Sequence, residues 1–89
     1  MPKVKVKLFA IYRELAGQKQ AELELPDGTT VRGMLLALEN KFEKLRGKLV
    51  SRVERDRTFV LTRGGRWPKL DDIVHDGEEY SLFPPIGGG

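Results

Sequence analysis

The sequence predicts an α+β fold in which a mixed sheet of four to five strands carries one main helix across one face. Three observations support this reading. Val4, Val6 and Leu8 alternate with Lys3, Lys5 and Lys7 through residues 3–9, the period of a half-buried strand. Val31, Leu35, Leu38, Phe42 and Leu45 recur at steps of four and three, which makes one buried helical stripe. Residues 79–83 alternate again, with Tyr80 and Leu82 on one face and Ser81 and Phe83 on the other. Two strands joined as a hairpin, one crossover helix and a final strand returning beside the first connect these elements without crossing loops.

The elements between them follow in order. Residues 10–16 place Ile11 and Leu15 four apart and are followed by Gly17, which suits one or two helical turns with a glycine stop. Residues 21–25 form the second strand, with Leu23 and Leu25 inward and Glu22 and Glu24 opposite the outward lysines of the first. Pro26-Asp27-Gly28 is a turn, and Thr29 or Thr30 caps the main helix. Met34 lies beside the helical stripe, Leu36 projects away from it, and Gly47 ends the helix. Residues 48–57 are basic and irregular and receive no assignment. Residues 58–62 read as a third strand, Gly64-Gly65 as its turn, Arg66-Trp67 as a short edge segment closed by Pro68, and Asp76-Gly77 as a further turn.

Eighty-nine residues allow one domain, spanning 1–83 with residues 84–89 as a flexible tail. A domain of this size buries only about 60–65% of its unfolded surface, which leaves little room for an internal cavity. No segment has the apolar length of a membrane span and the N-terminus lacks a signal-peptide pattern, so a cytoplasmic location is expected. Cysteine is absent, which excludes disulfides, thiol chemistry and cysteine metal sites. The formal charge of +3 favours anionic partners only weakly.

The ending Phe83-Pro84-Pro85-Ile86-Gly87-Gly88-Gly89 contributes little to a folded core. Two prolines fix φ and lack an amide NH, so the last strand stops at Phe83 and the chain leaves it stiff and extended. Three glycines then remove every Cβ around the terminal carboxylate, which lets bare backbone enter a narrow channel. From Pro84 to Gly89 the reach is roughly 20 Å at ~3.3–3.6 Å per residue. That depth matches a recessed catalytic centre in another protein.

The element order is that of the β-grasp, and three separated motifs extend the likeness. Lys5-Val6-Lys7-Leu8-Phe9-Ala10 with Arg13-Glu14-Leu15-Ala16-Gly17 resembles the opening of molybdopterin synthase small subunits, members of the MoaD/ThiS ubiquitin-like sulfur-carrier family. Leu25-Pro26-Asp27-Gly28-Thr29-Thr30-Val31 resembles the family's turn into its helix, and Asp76-Gly77-Glu78-Glu79 through Gly89 resembles its ending, with Gly87 in place of another small residue. The family often has Val-Asn-Gly after the third strand, where this chain has Leu61, Thr62, Arg63 and Gly64.

The resemblance implies a non-catalytic sulfur donor. Gly89, preceded by Gly88, would be adenylated by an E1-like enzyme using ATP and converted to a thiocarboxylate by a persulfide donor. The sulfur would then pass to the molybdopterin or tungstopterin precursor in the large subunit of molybdopterin synthase. No bound cofactor or metal is expected. The thiamine-pathway carrier and lysine-conjugating protein modifiers share this fold and ending and remain open alternatives.

Strand parity alone points to a docking surface. Phe9 and Phe83 share the outward face if the first and last strands are neighbours, and they would form an exposed apolar patch where the tail departs, with Trp67 as a possible extension. Pro84, Pro85, Ile86 and Gly87 complete the expected partner-binding set. Other candidates read as structural. His75 is the lone histidine, beside a turn; Asp71, Asp72, Asp76, Glu78 and Glu79 lack the spacing of a calcium loop; Arg63-Gly64-Gly65-Arg66 reads as a hairpin turn before a phosphate cradle. A nucleic-acid surface built from Lys3, Lys5, Lys7, Arg46, Lys48, Arg52, Arg55 and Arg57 with Trp67 is disfavoured by the acidic residues interleaved among them.

Overall fold

The computed structural model describes residues 1–50 and 60–84. Its elements are β1 (Lys3–Leu8), α1 (Ile11–Ala16), β2 (Gln20–Glu24), α2 (Val31–Lys41), a 3-10 turn (Glu43–Leu45), β3 (Val60–Arg63) and β4 (Glu79–Phe83). The four strands form one sheet in the order β2-β1-β4-β3. β1 runs parallel to β4, while β2 and β3 are antiparallel to their neighbours. This is the β-grasp. Thr58 lies outside the described residues, as do Arg52, Arg55 and Arg57, so the third strand is described from Val60 only.

The alternation read in the sequence sets the sheet's two faces. Val4, Val6 and Leu8 of β1, Leu61 of β3 and Tyr80 and Leu82 of β4 point inward, and Val31, Met34, Leu35 and Leu38 of α2 complete one core with them. Lys5 opposes Glu22 and Lys3 opposes Glu24 in the register, as strand parity predicts. Lys5 also comes within 3.9 Å of Glu79 on its other side.

Helix α2 is held at its start by side chain and loop together. The Thr30 hydroxyl accepts the Gly33 amide at 3.1 Å, so Thr30 is the cap, whereas Thr29 donates its hydroxyl to the Pro26 carbonyl at 2.6 Å. The amides of Val31 and Arg32, which have no partner inside the helix, donate to the carbonyls of Asp72 and Leu70 at 2.8 and 2.9 Å. The loop before β4 is thereby fastened to the helix.

The sequence expectation for the end of this helix is corrected. The helix stops at Lys41, because Phe42 turns extended at φ −119°, ψ 105°, and Leu45 reaches the core from a 3-10 turn. The three-residue step from Phe42 to Leu45 fits a 3-10 turn as well as an α-helix, so apolar spacing could not tell them apart. Gly47, at φ 73°, ends this second turn rather than α2. Its amide donates to Glu39 Oε1 at 2.6 Å and the Val50 amide donates to Oε2 at 2.8 Å. A carboxylate that accepts two amides tolerates burial, which explains a glutamate only 7% exposed.

In α1 the buried residue is Tyr12, with Leu15 and Ala16 packed against the core, while Ile11 is 47% exposed. Of the two apolar residues four apart, Leu15 packs against the core and Ile11 faces outward. Gly17 does end the helix, at φ 76°, with its amide donating to the Arg13 carbonyl at 2.9 Å. Among the described residues, no helix is long and apolar enough to cross a membrane.

Candidate functional site

The aromatic pair expected from strand parity is present. The rings of Phe9 and Phe83 stack with centroids 4.4 Å apart and planes 11° from parallel. The register makes this contact: Lys7 opposes Ser81 and Leu8 opposes Leu82, so the next residues of β1 and β4 meet on the outward face. The Phe9 amide extends the ladder by donating to the Leu82 carbonyl at 3.2 Å. Phe9 remains 38% exposed and Phe83 half-buried. On the other side of Phe83, Val60 opposes it from β3. Phe9, Phe83 and Val60 thus form an apolar row across three strands, immediately before Pro84. Pro85, Ile86, Gly87, Gly88 and Gly89 lie outside the described residues.

The row is followed by a neutral one, Lys7 excepted, in which Ser81 lies between Lys7 and Thr62, and then by the charged pairings around Lys5 and Lys3. The outward face is therefore apolar at the end where β4 finishes and charged at the other. The Gly64-Gly65 turn, with φ of 59° and 80°, reverses the chain at the opposite end of β3, and Trp67 follows on that strand's outer side. It is 60% exposed. It follows Arg66, which bridges Arg63 across the turn and starts the chain back along β3 towards the Phe83 end.

The backbone beside Phe9 carries the feature that sequence reasoning missed. Ala10 adopts φ 52°, ψ −125°, and the Tyr12 amide donates across the turn to the Phe9 carbonyl at 3.2 Å. These angles belong to the first central position of a type II′ turn, where glycine is the usual residue. Ala10 is the described non-glycine residue with positive φ. Three exposed apolar residues in succession, Phe9, Ala10 and Ile11, were the available sequence signal.

At the opposite end of the sheet the polar candidates satisfy one another. Arg63 lies 3.6 Å from Asp72 and 3.5 Å from Glu78. Glu78 Oε1 accepts the Tyr80 hydroxyl at 2.9 Å and the His75 amide at 2.7 Å. Burial pushes the Tyr80 hydroxyl up to about 12, and the hydrogen bond to Glu78 acts in the same direction against the opposing hydrogen bond from Arg63. The hydrogen bond with Tyr80 raises Arg63 further above its ordinary value, against the effect of burial. Asp76 accepts the Lys3 amide at 2.8 Å. Arg63 and Arg66 flank a two-residue hairpin and exchange backbone hydrogen bonds of 2.7 and 3.1 Å, so the turn reading prevails over a phosphate cradle. Of the described cations expected for nucleic acid, Lys3, Lys5 and Lys7 lie on the outward face of β1, while Arg46 and Lys48 follow the 3-10 turn.

Residues 6–89 match the ThiS family. The chain belongs to that family. Small archaeal modifier protein 3 of Haloferax volcanii is 33% identical over 97% of this chain and 98% of its own length. The molybdopterin synthase sulfur carrier subunit of Arabidopsis thaliana is 34% identical over 97% of this chain and 82% of its own. Among solved structures, a Pyrococcus furiosus protein provisionally named molybdopterin converting factor subunit 1 superposes with a TM-score of 0.84 at 33% identity, covering 97% of this chain and all of that one. This ThiS-family protein is a ubiquitin-like sulfur carrier or modifier.

Proposed function

We propose that this ThiS-family protein is a sulfur carrier for molybdopterin or tungstopterin synthesis, acting through the carboxylate of Gly89 as the small subunit of molybdopterin synthase. The observation that carries the reading is the exposed Phe9–Phe83 stack directly ahead of Pro84. It supplies an apolar docking surface at the one place from which a Gly-Gly tail can enter a partner. The likeness to a named molybdopterin synthase sulfur carrier subunit supports the pathway.

A terminal carboxylate has a pKa of about 3.3–3.7, so it is ionised at neutral pH and a poor electrophile. An E1-like enzyme supplies activation: the Gly89 carboxylate attacks the α-phosphate of ATP, forming an acyl adenylate and releasing pyrophosphate. The terminal sulfur of a persulfide then attacks the carbonyl carbon and AMP leaves. A thiol cleaves the resulting S–S bond, becoming a disulfide, and the thiocarboxylate remains on Gly89. In the large subunit that sulfur is transferred to the pterin precursor. The carrier's own part is to dock through Phe9 and Phe83 and to set the depth of its terminus by tail length.

A second reading is a protein modifier, in which a lysine amine attacks the adenylate-derived acyl group and forms an isopeptide bond. The likeness to small archaeal modifier protein 3 favours it. The deciding experiment incubates the folded chain with ATP, its cognate adenylating enzyme and a persulfide donor, followed by intact-mass measurement. A mass gain matching one oxygen replaced by sulfur, localised to Gly89, is expected. An unmodified terminus, under conditions that thiolate a known carrier with its own enzyme, refutes the carrier assignment; lysine-linked conjugates without a thiocarboxylate support the modifier.

A further inference from the structure

The order β2-β1-β4-β3 leaves two outer edges, and the chain treats them differently. At β3 the polypeptide turns back, so that Arg63 and Arg66 exchange backbone hydrogen bonds. Along the outer side of β2, no strand or bridge is formed by the described residues. Which backbone groups that edge offers follows from the register. The Leu8 amide donates to the Lys19 carbonyl and the Leu25 amide to the Pro2 carbonyl, at 2.8 and 2.9 Å, so by antiparallel alternation Ala21 and Leu23 bond to β1. The amides and carbonyls of Gln20, Glu22 and Glu24 therefore face away from the sheet. The Gln20 carbonyl is covered by the Gln18 side-chain amide at 2.8 Å, whereas Glu22 and Glu24 are left open. Their side chains are exposed, and among the described residues neither is ion-paired; Lys5, which opposes Glu22, comes within 3.9 Å of Glu79 instead.

We propose that the outer edge of β2 accepts an extended segment of a partner protein as a fifth strand, and that this segment carries lysine or arginine at alternate positions. Charge selects the occupant. A residue directly opposite Glu22 or Glu24 in the new ladder shares the outward face with it, at about 5.5 Å between Cα atoms, where opposite charges attract and like charges repel. A second copy of the chain is disfavoured on the same ground, because antiparallel pairing of two β2 strands about their centres sets Glu22 against Glu22. The intervening residues of the added strand project to the side of Ala21 and Leu23 and are apolar. Main-chain hydrogen bonds supply affinity and the alternate charges supply selectivity. The edge lies across β1 from β4, and Glu24 sits at the end of the sheet away from Phe9, so docking through Phe9 and Phe83 leaves it free.

The test titrates the isotopically labelled full chain with a capped peptide, Lys-Val-Lys-Val-Lys, and with its acidic counterpart, Glu-Val-Glu-Val-Glu, reading amide shifts and amide hydrogen exchange. The basic peptide should bind saturably with Kd below about 1 mM at ~0.05 M salt, shift the amides of Glu22 and Glu24 and slow their exchange. The acidic peptide should do neither. Combined Glu22→Gln and Glu24→Gln substitutions should raise Kd about three- to tenfold and leave melting within about 4 °C, since both side chains are exposed. Absence of saturable binding at about 1 mM, equal binding of the two peptides, or an unchanged Kd in the double variant overturns the proposal. Shifts centred on another face, or shifts at β2 without slowed exchange, also overturn it, as does self-association of the free chain through β2.

Discussion

The two ends of the sheet solve opposite problems. Where β4 begins, Arg63, Asp72, Glu78 and Tyr80 are joined in one polar network, and the loop that carries Asp72 is fastened to the first amides of α2. Where β4 finishes, Phe9 and Phe83 stack in the open, Ala10 is strained, and the polypeptide continues into prolines and glycines. One end has its polar groups matched internally, and the other presents apolar surface that only a partner can bury. The difference teaches where stability and function reside in a domain too small to give each a separate layer.

The sharpest way to break this comparison is to remove Gly88 and Gly89. Both come after β4, which ends at Phe83, so melting should shift by no more than the ~0.5 kcal/mol typical of surface changes. Thiocarboxylation should disappear, because the terminus is withdrawn by about 7 Å from a reaction that demands near-contact geometry. Intact mass and thermal melting on the same sample check both halves. Retained modification would show that tail length does not set the reacting position.

Next in size are Phe9→Ala and Phe83→Ala. Each should stay folded and lose roughly tenfold or more in affinity for the large subunit, the behaviour of an aromatic anchor at an interface centre. Titration calorimetry reads the affinity and circular dichroism the fold. A variant that unfolds outright would place the ring in the core and end the docking interpretation.

At the other end, Glu78→Ala removes the acceptor for the Tyr80 hydroxyl and the His75 amide and one partner of Arg63. It should cost about 1–3 kcal/mol in denaturant unfolding while leaving adenylation kinetics unchanged. The smallest effect concerns pH. The Tyr80 hydroxyl is raised above its unfolded value of about 10, so the folded state holds that proton more tightly. Its contribution is complete below pH 10 and is lost as pH rises towards 12. Tyr80→Phe should flatten that alkaline decline, measured as denaturation midpoint against pH.

These predictions draw unevenly on what was legible in the residues. Strand faces and register followed from alternation, because a one-residue slip would expose Val4, Val6 and Leu8 together. The Phe9–Phe83 pairing was legible for the same reason. Thr30 and Gly17 were readable as caps because local backbone groups select those residue types. What escaped was whatever depends on contacts distant in sequence or on a conformation the residue type does not favour. Nothing about Glu39, between Leu38 and Asn40, signals a carboxylate buried on the amides of Gly47 and Val50. Arg63 and Glu78 read as solvated charges until the fold brings them to 3.5 Å. Ala10 is an ordinary residue in composition and an unusual one only in its dihedral angles.

The central claim is that partners engage the end of the sheet where β4 finishes. Amide chemical-shift mapping of the isotopically labelled chain, titrated with the unlabelled adenylating enzyme, tests it most directly. The account predicts that perturbations concentrate at Phe9, Ala10, Ile11, Val60, Phe83 and the tail, while Arg63, Asp72, His75 and Glu78 stay unchanged. Perturbations centred on the Arg63 network, with Phe9 and Phe83 unaffected, would contradict it.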